Sequence, residues 1–344
     1  MIMDVCIIGM GKIGHGTAAA LASKGIHVTC FTRNEHKLQS LNKNGISASG
    51  SVYGTFKVQT TNDLRVATRA DLLIIATTAQ GHRPVAKSLK GHLKKNQVIL
   101  ILTGNWGAYE FFSELNDEIK EKDVIIGETS GNIAAVPKLS PNSSVFIKPP
   151  KKTIDFATIP SFVASEIKSE LHEIFPQLIP VKNVLTTSLN NTNSLIHVAV
   201  SLFNITRIAN RETAAFYLTS MPELVVNFIE DADRERVLVG KAIGADTRPV
   251  LELLNNAWES DYKSLKTLGM ENKSLQNVFL PKTVRHRFLT EDVPFGCLPI
   301  AQIGAKAKIQ TPRIKLMVDT YRYLLCNGRE IQGPIFDLPF SKVI

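Results

Sequence analysis

Short runs that are apolar throughout alternate with amphipathic stretches of helical period along the first half of the chain. Met3–Ile8, Ile26–Phe31, Leu72–Thr77, Gln97–Leu102 and Val124–Ile126 read as strands, and Thr17–Lys24, Pro84–Leu93 and Trp106–Lys120 as the helices between them. Strands without polar alternation are what a parallel sheet covered on both faces requires. Between Ser47 and Gln59 the pattern switches to alternating polar and apolar positions around Gly50 and Gly54, which predicts a small hairpin. Ser165–Phe175 and Ile179–Val184 continue the strand–helix–strand rhythm. From about Asn190 the period becomes helical and stays so. Helices are expected over Ser194–Asn204, Glu212–Tyr217, Pro222–Ala242, Pro249–Tyr262, Pro299–Ala307 and Pro312–Leu325, with Pro222, Gly244, Pro249, Pro294 and Pro312 at the joins. The change of period places a domain boundary near Ser188.

The turn after the first strand reads Gly9-Met10-Gly11-Lys12-Ile13-Gly14. In a strand–turn–helix setting the first glycine makes the turn, the second lets backbone approach a pyrophosphate, and the third lets helix and strand pack closely. Residues 1–188 are therefore expected to form a dinucleotide-binding domain of Rossmann type, a doubly wound α/β sheet, and residues 189–344 an all-helical domain for substrate and catalysis. The second strand ends Phe31-Thr32-Arg33-Asn34, without the acid that would bond a ribose 2′-hydroxyl. Arg33 can grip a 2′-phosphate there, helped by the Thr32 hydroxyl and by Lys37, so NADP(H) is favoured over NAD(H). A surface arginine opening the next loop is the plain alternative. Thr77 and Thr103-Gly104 follow later strands at their carboxyl ends, where ligands bind in such sheets. Gly104 and Gly107 would let backbone approach the nicotinamide half.

Composition narrows the picture further. The chain has 344 residues, 44% of them apolar, and no apolar stretch long enough for a membrane span. The first strand begins almost at Met1, which leaves no room for a signal peptide, and the four cysteines Cys6, Cys30, Cys297 and Cys326 show neither disulfide nor metal-ligand spacing. A cytoplasmic protein without a metal is expected. The formal charge of +9 is scattered, so it suits anionic small molecules better than nucleic acid.

In the second half His197 follows the polar run Asn190-Asn-Thr-Asn193-Ser on the first helix of the helical domain, expected to face the cleft between domains. A histidine on an apolar helix is commonly a satisfied core residue. An acidic partner, Asp292, changes that, because a carboxylate orients the imidazole as a proton donor and acceptor near neutral pH. Arg287 is a natural clamp for a substrate carboxylate. An ordinary surface charge cluster of Arg285, His286, Glu291 and Asp292 is the competing reading.

Taken together these segments resemble the opine dehydrogenases, the family of octopine and N-(1-carboxyethyl)amino-acid dehydrogenases. The resemblance runs through the glycine motif, Gln80-Gly-His82-Arg-Pro-Val-Ala, Thr103-Gly-Asn-Trp-Gly107-Ala-Tyr-Glu110-Phe111, Glu128-Thr129, Asn193 and His197, Asp233-Arg-Glu-Arg236, Arg287-Phe-Leu-Thr-Glu-Asp292-Val-Pro294 and Thr311-Pro312. It implies reductive condensation of an amino acid or other amine with an α-keto acid such as pyruvate or 2-oxoglutarate, through an imine. It further implies His197 as acid/base, Asp292 as its partner, Arg287 as binder of the keto-acid carboxylate, and Asn193 in the substrate site. After Thr129 the chain reads Ser130-Gly-Asn-Ile, where many members carry a Leu-Pro-Tyr-Ala-x-Arg-like stretch, which leaves the amino-acid pocket open. Two rivals stand beside this reading. A keto-acid reductase of ketopantoate-reductase type would place a lysine at the start of the helical domain, and none lies between Val184 and Val200. A non-catalytic nucleotide-binding or redox-sensing protein would need only the glycine motif. The substrates' identities, the product's stereochemistry and a homodimer through the helical domain stay open.

Overall fold

The computed structural model describes residues 3–133, 136, 138–140, 143–334, 336 and 340, and the chain divides into two compact units, Met1–Thr187 and Ser188–Lys342. In the first, β1 (Val5–Ile8), α1 (Lys12–Ala22), β2 (Val28–Phe31), α2 (Glu35–Asn44), β3 (Ile46–Gly50), β4 (Gly54–Phe56), β5 (Gln59–Thr61), α3 (Leu64–Ala67), β6 (Leu72–Ile75), α4 (His82–Leu89), β7 (Val98–Ile101), α5 (Gly107–Glu121) and β8 (Ile125–Thr129) follow one another. Then come β9 (Lys138–Leu139), β10 (Ser144–Ile147), β11 (Ile154–Ile159), α6 (Ala164–Glu170), β12 (Leu178–Pro180) and α7 (Val184–Leu189), within which the boundary falls.

The main sheet runs β12-β11-β8-β7-β6-β1-β2-β5. Every residue of β1, β6 and β7 is buried, the physical reason these strands show no polar alternation. All pairings are parallel except β11 with β8. The chain leaves β1 for β2 on one side and later returns to β6 on the other, so the order reverses at the carboxyl ends of β1 and β6, where such sheets bind ligands. The expected hairpin is β3 with β4, paired antiparallel. It belongs to a second sheet, β4-β3-β10-β9, in which β10 joins β3 in parallel from far along the chain.

The second unit contains α8 (Asn193–Phe203), α9 (Ile205–Ala209), α10 (Glu223–Ala242), α11 (Val250–Trp258), α12 (Leu265–Glu271), α13 (Arg287–Thr290), a π-helical turn (Val293–Cys297), α14 (Leu298–Lys306) and α15 (Pro312–Leu325). One expected helix is absent. Across Glu212–Tyr217 the chain is extended and turning, with Ala215 bridged to Phe279 and Phe216 N donating to Val278 O at 2.8 Å. The segment is too short to repay helix nucleation, and burial of Phe216 holds it extended instead.

Buried polar side chains from α10 tie this unit together. Neither α11 nor α15 has a side-chain cap of its own. Asp233 accepts from Val250 N at 2.8 Å at the start of α11, and Glu235 accepts from Arg313 N and Ile314 N at the start of α15. Both carboxylates thus satisfy backbone donors that a helix start leaves orphaned. Arg236, wholly buried, donates to Asp233 Oδ1 through Nε and Nη2 and to the carbonyls of Leu189 and Arg248.

Candidate active site

In the helical unit His197 Nδ1 lies 2.8 Å from Asp292 Oδ2, across 95 residues of sequence. Asp292 is almost wholly buried and His197 nearly so. Two contacts bring their elements together. The place of a side chain at Gly296, in the π-helical turn, is only 2.3 Å from Ser194 Cβ on α8, so glycine is required for the approach. Cys297 Sγ donates to Ser194 O at 3.2 Å. A π turn carries an extra residue, and such turns recur where a side chain must be re-aimed.

Aromatic rings fix the imidazole. Phe288 stacks on it at 3.8 Å between centroids and 22° between planes, and Phe216 meets it edge-on at 5.8 Å. With Nδ1 engaged by the carboxylate, Nε2 is the nitrogen left for chemistry. Asn193 precedes His197 by one turn and shares its helix face. Arg287 opens α13 with its Nε 3.5 Å from Glu291 Oε2, so the expected clamp is held by a neighbouring carboxylate and stays more than a third exposed. The motif read as a surface charge cluster therefore splits. Glu291 and Asp292 point into the protein as buried acids, His286 is half-buried and Arg285 is exposed. Sequence reasoning named Glu291 only as part of a surface cluster and missed both phenylalanines, because aromatic packing around a ring three segments away leaves no local spacing to detect.

In the sheet unit the glycine motif meets its three requirements. Gly9 has φ +107° and packs on Ala76 and Thr77. A side chain at Gly14 would lie 2.1 Å from Gly9 O, whereas Gly11 has nothing within 4 Å of that place. Gly11 also caps α1 without any side chain, so open space coincides with a helix start, as a pyrophosphate needs. The helix begins at Lys12, five residues earlier than its apolar period suggests, with Lys12 exposed and Ile13 half-buried. His15 Nδ1 donates to Gly11 O at 2.8 Å, and burial lowers its pKa, keeping the ring neutral. Thr32 Oγ1 accepts from Asn34 N, and Lys37 Nζ donates to Met10 O at 2.8 Å across the glycine turn. Arg33 is exposed just after β2.

Two other glycines have a packing reason of their own. The place of a side chain at Gly104 is filled by the Glu128 carboxyl at 1.9 Å, and at Gly107 by the His82 imidazole at 2.6 Å. Both make room for the protein's own side chains. Glu128 is wholly buried, accepting from Ala108 N at 2.8 Å and from Thr187 Oγ1 at 2.7 Å, and so caps α5. Thr103, Asn105 and Trp106 all have positive φ, and strain of this kind collects at functional loops. Thr103 Oγ1 donates to Asn132 Oδ1, while Thr77 Oγ1 is buried without a partner. Burial also drives His82 down to about 4 and Glu110 up to about 7, the latter opposed by Arg83.

Two family models divide the chain. The model described as NAD/NADP octopine/nopaline dehydrogenase, alpha-helical domain, matches residues 180–325, and the ketopantoate reductase PanE/ApbA model matches residues 5–137. An opine dehydrogenase of Arthrobacter sp. (strain 1C) is 26% identical across 95% of this chain and 92% of its own length. The helical half of the chain thus carries a domain of octopine/nopaline dehydrogenase type. Octopine dehydrogenase, solved with NADH and L-arginine, shares the fold of this chain at a TM-score of 0.77 and 18% identity, over 93% of this chain and 89% of that one. Yersinopine dehydrogenase with NADP+ bound gives 0.76 at 16% identity, over 96% and 94%. His197, Asp292, Arg287 and Asn193 all fall inside the matched helical domain, and the glycine motif inside the ketopantoate-reductase-like match. The ketopantoate rival is thus a distant relative sharing the nucleotide-binding half.

Proposed function

We propose that this chain is an NAD(P)H-dependent opine dehydrogenase, joining an amino acid or other amine to an α-keto acid such as pyruvate. The observation that carries the reading is the buried His197–Asp292 pair, boxed by Phe288 and Phe216, in a helical unit of octopine/nopaline type. The amine nitrogen bonds to the keto carbon and loses a proton, and the carbinolamine hydroxyl departs as water once protonated, leaving the imine. His197 Nε2 serves both transfers, while Asp292 holds the ring in one tautomer. Arg287 neutralises the keto-acid carboxylate, and Asn193 lines the same helix face. The chemistry that a dinucleotide would supply here, when bound, is the hydride that reduces the imine carbon.

The cradle at Gly11 and the first turn of α1 fit the pyrophosphate of such a cofactor. Arg33 and Lys37 beside Thr32, with no acid at the end of β2, support NADP(H) as the preferred form. Arg33→Ala should then raise the Michaelis constant for NADPH about tenfold or more, and that for NADH hardly at all. An equal rise in both makes Arg33 structural.

The reaction class itself is tested by NADPH oxidation with pyruvate or 2-oxoglutarate, with and without a panel of amino acids and small amines. Oxidation should require both substrates together. Oxidation with keto acid alone would make the protein a hydroxy-acid dehydrogenase and would overturn this reading.

A further inference from the structure

The short segment from Arg287 to Asp292 carries much of what the proposed chemistry needs. Phe288 stacks on the His197 imidazole, Asp292 Oδ2 holds its Nδ1 at 2.8 Å, and Leu289 anchors α13 in the core. Glu291 has no part in that scheme, although it too is buried.

An arginine and a glutamate four residues apart are an ordinary sight on a solvated helix face, where the pair contributes little. This pair differs in how its members are covered. The Glu291 side chain is 8% exposed and that of Arg287 39%. Arg287 Nε and Glu291 Oε2 are both shielded from water, 3.5 Å apart and without a hydrogen bond. The exposure of Arg287 therefore lies away from Nε. Among the described residues neither of its Nη nitrogens makes a hydrogen bond or ion pair.

A guanidinium can take a carboxylate with two parallel bonds at either of two edges, the side edge of Nε and one Nη or the end edge of both Nη. Glu291 stands at the side edge, where its charge repels a second carboxylate. The end edge is left. We propose that Glu291 is a positioning residue that occupies the Nε side of Arg287, so that the keto-acid carboxylate binds end-on at Nη1 and Nη2. The place of the keto carbon beside His197 follows from this, because Glu291 and Asp292 are consecutive. One acid orients the clamp and the next orients the base. This assignment rests on the opine dehydrogenase reading and specifies how its Arg287 is used.

The test begins with Glu291→Gln, which keeps the size of the side chain and removes its charge. Turnover with pyruvate should fall about 5- to 20-fold, short of the roughly hundredfold that a misplacement of about 1 Å can cost. The Michaelis constant for pyruvate should stay level or drop, since a repelling charge has gone. In an Arg287→Lys background the same change should alter turnover less than about twofold, because an ammonium is a point charge with no side edge. An undiminished loss there would mean that Glu291 acts through some other group. Unchanged turnover in Glu291→Gln alone, or a raised Michaelis constant at full turnover, would equally overturn the assignment. A crystal structure of the unaltered protein with NADP+ and oxamate, a non-reacting isostere of pyruvate, needs no turnover and so separates this idea from the reaction class. Oxamate seated on both Nη nitrogens, with Glu291 still against Nε, supports the assignment even if condensation fails. Oxamate on the Nε edge with Glu291 displaced, or bound away from Arg287, overturns it whatever the reaction.

Discussion

His197→Ala should lower turnover by about 10²- to 10⁴-fold, the usual share of a positioned acid/base, while leaving dinucleotide affinity unchanged. The separation is expected because the glycine motif and α1 belong to the sheet unit, and His197 to the helical one. Asp292→Asn should lose less than His197→Ala, since the imidazole survives and only its tautomer and orientation are released. The double variant should be no worse than His197→Ala alone, because residues acting as a unit are not additive. Steady-state rates together with NADPH fluorescence titration check all three. Wild-type turnover in His197→Ala would remove His197 from the chemistry.

The largest effect on stability is expected at Arg236→Ala. The guanidinium is wholly buried, and it is the charge partner of an almost equally buried Asp233. Removing it strands that carboxylate, which costs about 3–5 kcal/mol in buried pairs, and it also orphans the carbonyls of Leu189 and Arg248. A urea titration should show a lower midpoint with a similar slope. A loss below about 1 kcal/mol, the level of an ordinary substitution, would mean that water reaches Asp233 and that the ion pair is not closed. Asp233→Asn should cost a comparable amount, because it leaves the buried Arg236 guanidinium without a counter-charge and offers one amide oxygen where Val250 N and the guanidinium use two carboxylate oxygens.

What was legible in the sequence divides along physical lines. The glycine motif could be read in full because each of its requirements is local: a positive φ at Gly9, open space at Gly11, contact with Gly9 O at Gly14. The sheet strands were legible because burial on both faces leaves an unbroken apolar run. The pairing of His197 with Asp292 was legible only through chemical complementarity and family resemblance, since nothing in a gap of 95 residues implies contact. Where the readings failed, a distant partner decided the outcome. Gly104 and Gly107 have a reason to be glycine that no local pattern announces, since Glu128 and His82 occupy the place of a side chain. The Glu212–Tyr217 segment is pulled out of helix by its bridge to Phe279. The parallel pairing of β3 with β10 joins segments with no common pattern to announce it.

The π-helical turn after Asp292 makes the geometry of the dyad a matter of counting. From Val293 to Cys297 the backbone holds one residue more than an α-helical turn would, and that surplus lies between the acid and the long helical run that follows through α14. Each residue of a helix turns the next by about 100°. Shortening the segment by a single residue would restore regular winding and swing position 292 away from the imidazole, with every side chain of the dyad still present. The chemistry of this protein is thus sensitive to an insertion or deletion at a place where a substitution table would record nothing missing.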